Sequence, residues 1–268
     1  VPPFRFLHAA DLHLGRRFAA LGGDGDADGE AEETRAHLVA ARAAQPDALA
    51  EAAVRHGATD VLLAGDLFDT ESPAPSVISH ALAAMGRAPL RWWIIPGNHD
   101  SLAAGALWES VAERRPDNVT VLATPAPVDL APGVVLLPAP VPSRFPGRDL
   151  TEPMASTASP EGAIRIGLAH GPAWSYGADA ALIPATRQDT AGLDYLALGD
   201  RHAFTAVASR TYYAGTPERD GFDFAGPGTA ALVAIDANGA PPRVESVATG
   251  RFDWRTVILD LLPGVDVA

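Results

Sequence analysis

Residues 61–69 read Val-Leu-Leu-Ala-Gly-Asp-Leu-Phe-Asp. An apolar run that ends in a glycine and an aspartate reads as a buried β-strand opening into a polar turn. The same pattern recurs on both sides. Upstream, Phe4–Ala10 runs into Asp11-Leu12-His13. Downstream, Trp92–Ile95 runs into Gly97-Asn98-His99-Asp100, Ile164–Ala169 into His170-Gly171, and Tyr195–Leu198 into Gly199-Asp200-Arg201-His202. In α/β sheets, ligands bind beyond the carboxyl ends of strands, so these ends can converge on one site. Only Asp, Asn and His carry chemistry there, the ligand types that suit hard or borderline divalent metals.

Alternating elements place those ends in an α/β frame. Thr34–His56 has a helical pattern restarted at Pro46-Asp47, an N-terminal helix signal. Ser76–Met85 and Leu107–Arg114 also read as helices. Asp24–Glu33 is acidic and glycine-rich and reads as a loop, and prolines between 125 and 160 make most of that stretch loop around a strand at Val134–Leu137. The tail reads as β: Arg210–Ala214, Ala230–Ile235 and Arg243–Val247, with Ala237-Asn238-Gly239 as a turn between the last two.

Composition removes several classes. The chain has 268 residues, 47% of them hydrophobic and 20% charged, which fits one large domain with a buried core. It has no cysteine, so disulfides, thiolate metal sites and cysteine nucleophiles are excluded. No apolar run approaches a bilayer span and residues 1–6 lack the form of a signal peptide, so no membrane role and a cytoplasmic location are expected. The net charge of −13 is wrong for a general nucleic-acid binder. A polyanionic substrate would have to be attracted locally, by bound cations or by a few arginines.

Spacing sharpens the metal reading. Asp11 and His13 lie two apart, as do Asp200 and His202, so on an extended chain each pair faces one side. Glycines at 65, 97, 171 and 199 allow a sharp bend or a close approach of backbone to a ligand. Each fragment alone has a plainer account: Asp-x-His or Gly-Asp after a strand is common turn or cap chemistry, and a lone His170 is as readily a satisfied buried histidine. Five such fragments at five strand ends favour a dinuclear centre.

Taken in order, DLHLG at 11–15, AGDLFDTESP at 64–73, PGNHDS at 96–101, YLALGDRH at 195–202 and YAGTPER at 213–219 resemble the calcineurin-like metallophosphoesterases, and within them the SbcD-type DNA repair nucleases. The resemblance implies a four-layer α/β/β/α sandwich with two divalent metals, Mn²⁺ being the expected ion. It implies that Asp11, His13, Asp66 and His202 hold one metal. Asp66, Asn98, His170 and Asp200 would hold the other, with Asp66 bridging. His99 would stand beside the scissile phosphate as a catalytic residue, and Asp69 and Asp100 would orient ligands. Where the family commonly has Gly-His-x-His, this chain has Asp200 in place of the first histidine. That third carboxylate leaves two divalent ions a single net positive charge, and its oxygen favours Mn²⁺ over softer metals.

The expected function is a manganese-dependent DNA phosphodiesterase, an endonuclease or exonuclease acting in repair by a two-metal hydrolytic mechanism. A phosphodiesterase of the same fold acting on cyclic nucleotides or other small diesters is the alternative. Arg16, Arg17, Trp174 and Tyr176, with Arg144 and Arg148, are candidate substrate contacts, the aromatics by stacking on an unpaired base. Plain surface arginines and loop packing are the competing account of those residues. A protein-phosphatase reading fails because Thr70-Glu71, and no arginine, follows Asp69. Residues 1–268 are expected to form a single domain without the family's capping domain. DNA, an ATPase or other repair protein, and a second copy of the chain are the expected partners.

Overall fold

The computed structural model describes residues 3–18, 29–173 and 182–258. Its two mixed sheets have six strands each. The first holds β1 (Phe4–Ala9), β2 (Asp60–Ala64), β3 (Arg91–Ile95) and β4 (Val119–Val121) in parallel. Antiparallel β11 (Gly226–Ile235) and β12 (Arg243–Trp254) extend it in the order β12-β11-β1-β2-β3-β4. The second runs β5-β6-β7-β8-β10-β9, from β5 (Val128–Ala131), β6 (Val134–Ala139), β7 (Ile164–His170), β8 (Tyr195–Gly199), β9 (Phe204–Ala208) and β10 (Thr211–Ala214). In it β6, β7, β8 and β10 are parallel and both edge strands antiparallel.

Strand alternation explains why the layers stack. Leu7, Ala9, Val61, Leu63, Trp92 and Ile94 point into a core under the helices, while Phe6, Leu62, Ala64 and Ile95 point between the sheets. There they meet Leu136, Ile166, Leu168, Tyr195 and Ala197 of the second sheet. Helices α1 (Gly29–Ala43), α2 (Gln45–Arg55), α3 (Pro75–Arg87) and α4 (Gly105–Arg114) supply the outer layer on the first sheet. Prolines in the first turns of α2 and α3 start those helices where a missing N–H costs nothing. Over the second sheet lie only a 3₁₀ turn (Glu152–Ala155), the short α5 (Arg187–Thr190) and connecting chain, packed on Leu137, Leu196 and Leu198. The expected α/β/β/α sandwich is present, with a thin fourth layer.

Four details differ from the sequence reading. β4, β5 and β9 were not expected, and all three are sheet edges, where one flank lacks a neighbour and the apolar run that marks a buried strand is missing. β5 also sits among Pro125, Pro127 and Pro132, which an edge strand tolerates. Residues 29–33, read as loop, begin α1; residues 24–28 of that loop lie outside the described segments.

His8, in the middle of β1, bridges the sheets. It is fully buried, with Nδ1 3.0 Å from the Tyr195 hydroxyl and Nε2 3.1 Å from the Leu198 carbonyl. The carbonyl can only accept, so Nε2 carries the ring proton and Nδ1 accepts a hydrogen bond from the tyrosine hydroxyl. Burial pushes the imidazole down to about 3, against some support from the Leu198 carbonyl. Below about pH 6.5 the unfolded chain therefore binds a proton that the native residue refuses. Stability from this site is full above pH 6.5 and falls by about 1.4 kcal/mol per pH unit on acidification toward pH 3. His8→Phe, whatever its absolute stability, should lack this component when urea unfolding is followed between pH 6.5 and 4; parallel pH profiles for the two proteins would contradict it.

Candidate metal centre

The loop after β1 runs beside the loop after β2, continuing their parallel pairing. Asp11 N donates to Gly65 O (3.1 Å), His13 N to Asp66 O (3.0 Å) and Leu14 N to Leu67 O (2.9 Å). The backbone there is left-handed: φ is 57° at Asp11, 45° at His13 and 53° at Asp66, and 106° at Asp200 beyond β8. Among the described non-glycine residues only Phe18 shares a positive φ. Such conformations cost on the order of 1–2 kcal/mol each and concentrate where a site needs its side chains aimed. This replaces the extended-chain argument from the two-residue spacing: the pairs share a side because the backbone turns, and strand alternation plays no part.

The side chains converge from both sheets. His13 Nε2 lies 3.3 Å from His202 Nε2 and 3.7 Å from Asp66 Oδ2. His170 Nε2 lies 2.7 Å from Asn98 Oδ1, 3.5 Å from Asp66 Oδ2 and 4.0 Å from Asp200 Oδ1, while its Nδ1 is 4.0 Å from Asp11 Oδ1. Asp66 thus stands between a His13/His202 group and a His170/Asn98 group. The Asp200 N–H donates to the Asp11 carboxylate (3.1 Å), and the His99 N–H to Asp66 Oδ1 (2.9 Å). Close packing makes glycine necessary at two strand ends. A Cβ on Gly97 would fall 2.1 Å from Asp66 Oδ1, and one on Gly199 2.0 Å from the Ala64 carbonyl oxygen.

The donor chemistry fits cations. His170 Nδ1 donates to the Ala64 carbonyl (2.8 Å), so Nε2 is the nitrogen turned toward the Asn98 oxygen at 2.7 Å and toward Asp66 and Asp200. His13 Nδ1 faces Asp69 Oδ1 at 3.3 Å, which turns its Nε2 toward Nε2 of His202. Burial pushes the Asp11 carboxyl well above the carboxylate range, with Asp66 and Asp200 adding to the effect and His170 opposing it. Burial works against charge on His170 too, yet Asp66, Asp11 and Asp200 hold its imidazolium up to about 9. Burial pushes His202 down to about 4, helped by His13. Three carboxylates gathered around one favoured imidazolium leave an excess of negative charge that divalent ions would neutralise. The groups Asp11/His13/His202 and Asp11/Asp66/His170 each bring three ligand atoms within 4.8 Å of one another.

Other residues named from sequence fall as follows. His99 is half-buried beside His13, ring centroids 4.7 Å apart, and its Nδ1 donates to Asp69 O at 3.0 Å. Asp100 is buried and touches no ligand side chain in the described contacts; it accepts the Gly97 (2.7 Å) and Phe68 (3.0 Å) N–H groups and so fixes two loops. Arg16 is paired with Asp220 at 2.9 Å and lies 3.9 Å from Asp69, the carboxylate that faces His13. Arg17, Arg144 and Arg148 are exposed. Trp174 and Tyr176 lie outside the described residues.

Sequence reasoning missed Arg42. This α1 residue is buried, donating from Nη1 to Leu12 O (2.7 Å) and from Nη2 to Glu218 O (2.9 Å), with Asp220 Oδ2 at 3.3 Å. Thr216 adds a hydroxyl 2.8 Å from the Asp11 carbonyl. Together they buckle the Asp11–His13 loop to residues 216–220, the stretch whose GTPER motif was legible while its partner in an alanine-rich helix was not. Arg42→Met removes the donor to the Leu12 carbonyl and one of two donors to the Glu218 carbonyl and to Asp220, which keep Thr216 and Arg16, and it breaks the tie between α1 and that loop. It should cost about 3 kcal/mol in urea unfolding, and a loss under about 0.5 kcal/mol would refute the buckle.

Two sheets facing across a cluster of aspartates and histidines at strand ends define the metallophosphoesterase class. The sequence model of the calcineurin-like phosphoesterases matches residues 4–204, and the chain belongs to that family, metal-dependent hydrolases of phosphoesters. No curated protein matches it. Among solved structures, TT1561 of Thermus thermophilus is similar in fold, with a TM-score of 0.51 at 12% identity, covering 92% of this chain and 99% of its own. Another crystal structure gives 0.52 at 10% identity, covering 91% and 99%. Among the described residues no helix is long and apolar enough to cross a membrane.

Proposed function

We propose that the protein is a manganese-dependent DNA phosphodiesterase of the repair type, cutting single strands or ends. Asp11, His13, Asp66 and His202 would hold one divalent ion, and Asp66, Asn98, His170 and Asp200 the other. The ions, when bound, supply a nucleophile at neutral pH and neutralise phosphoryl charge. Four oxygen-bearing side chains (Asp11, Asp66, Asn98 and Asp200) suit Mn²⁺.

The chain's own residues complete the site. Asp69 and the Ala64 carbonyl fix the ring orientation of His13 and His170. His99, whose Nδ1 proton is committed to Asp69 O, would serve the leaving alkoxide in its imidazolium form, the second proton on Nε2 stabilising the alkoxide or passing to it.

The observation that carries the DNA reading is the shape around the ligands. One cavity of about 300 Å³ includes Asn98, His170 and Asp200, and a second of about 260 Å³ includes Asp200, Arg201 and His202. They share Asp200 and Pro172, which gives room on both sides of the centre, as a chain substrate requires. The net charge of −13 favours the other reading, a small diester such as a cyclic nucleotide.

One assay with added Mn²⁺ separates them: bis-p-nitrophenyl phosphate, circular single-stranded DNA, end-labelled duplexes and a cyclic nucleotide. Cleavage of the circle establishes an endonuclease; loss of end label alone establishes an exonuclease. Turnover of the small diesters with intact DNA moves the assignment to small phosphodiesters.

A further inference from the structure

Phe145 is out of place for folding. It sits in the loop after β6 with 83% of its surface exposed, although burying such a ring would stabilise the fold. Phe222, also exposed, packs edge-on against Trp254 with centroids 4.8 Å apart. Among the described residues no aromatic ring packs on Phe145; its neighbour is the Arg144 guanidinium, 5.8 Å from the ring centroid. The two residues line the same cavity as Asn98, His170 and Asp200. An exposed aromatic at the lip of a metal site, flanked by a cation, has the composition of a stacking platform for a base whose phosphate lies nearby.

Charge supports that occupant. Among the described residues neither Arg144 nor Arg148 is in an ion pair, while Arg16, Arg42, Arg187 and Arg210 are matched to acids. In a chain of net charge −13, an unmatched guanidinium at Arg144 in the cavity of the centre, on a loop that also carries Arg148, concentrates positive potential where a polyanion would run.

We infer that Phe145 stacks on the unpaired base of a nucleotide next to the scissile phosphate, with Arg144 on its backbone, so that the substrate is a single-stranded polynucleotide. A paired base has both faces covered by its neighbours and offers none to Phe145. This rests on the nuclease reading and adds to it a specificity-determining residue and a strand preference.

The test uses a short single-stranded oligonucleotide whose cleavage position has been mapped, and the same strand with an abasic residue at each flanking nucleotide in turn. With Mn²⁺, Phe145→Ala should lower kcat/KM on the intact strand by roughly 10–100-fold, mostly through KM. Phe145→Trp should restore it. One abasic position should cost the wild-type protein the same factor, and on that strand Phe145→Ala should lose nothing further. Equal losses on intact and abasic strands, or an unchanged KM, overturn the inference while leaving the nuclease standing. If the wild-type protein hydrolyses bis-p-nitrophenyl phosphate and cuts no polynucleotide, both fall together.

Discussion

Asp66→Ala should lower Mn²⁺-dependent diester hydrolysis by at least about 10³-fold, on the order of 4 kcal/mol in the barrier, the largest effect expected of any single substitution here. Asp66 stands 3.7 Å from His13 Nε2 and 3.5 Å from His170 Nε2, between the two donor groups, so its removal weakens both metal positions at once. Bound manganese, measured on the dialysed protein, should fall below the wild-type content. Asp66 Oδ1 also accepts the His99 N–H, so an unfolded variant must be distinguished from a demetallated one. Asp66→Asn does this, since its amide oxygen keeps that hydrogen bond and only the negative charge is lost. It should unfold within about 1 kcal/mol of the wild type and still lose most of its metal and activity. Full manganese content and near-normal turnover in Asp66→Asn would rule out a bridging carboxylate.

Gly97→Ala is the second large effect, and its cause is steric. The added Cβ would lie 2.1 Å from Asp66 Oδ1 and 2.3 Å from Asp66 N, with no flexible side-chain end to yield. Either the loop after β3 or that after β2 must move, which displaces Asn98 or Asp66. Stability should drop by about 3 kcal/mol and hydrolysis on the order of 100-fold, since a misplacement near 1 Å is costly to positioned chemistry. Gly133→Ala is the matched control. It has a φ of +76° but nothing within 4 Å of its Cβ, so it should lose only about 1 kcal/mol of backbone strain and keep full activity. Similar losses in the two variants would mean that the close approach at Gly97 does not hold.

Much of the centre was readable before folding because its chemistry is local. A buried strand announces itself by a continuous apolar run, and the first polar residue after it is fixed at the strand's end. Residues 61–66 and 195–200 carry that information with no reference to the rest of the chain. The facing of individual residues was a different matter: that Leu62 points between the sheets and Leu63 under the helices is seen only in the two cores. The edge strands escaped for the complementary reason: β4, β5 and β9 are short and partly exposed, so burial leaves little trace in their composition.

By itself the sequence determined the element pattern, the family and the residue types that gather at five strand ends, since these depend on short-range periodicity and on side-chain chemistry. Only the tertiary structure decided how those residues meet. The left-handed turns at Asp11, His13 and Asp66 come from the backbone pairing of two loops far apart in the chain. Arg42 reaches Leu12 across 30 residues and Glu218 across 176, a contact no local pattern encodes. Phe145 shows the same limit from the surface. In sequence it is one phenylalanine in a proline-rich loop, and only the packing of that loop beside Asn98 and His170 gives its exposure a meaning.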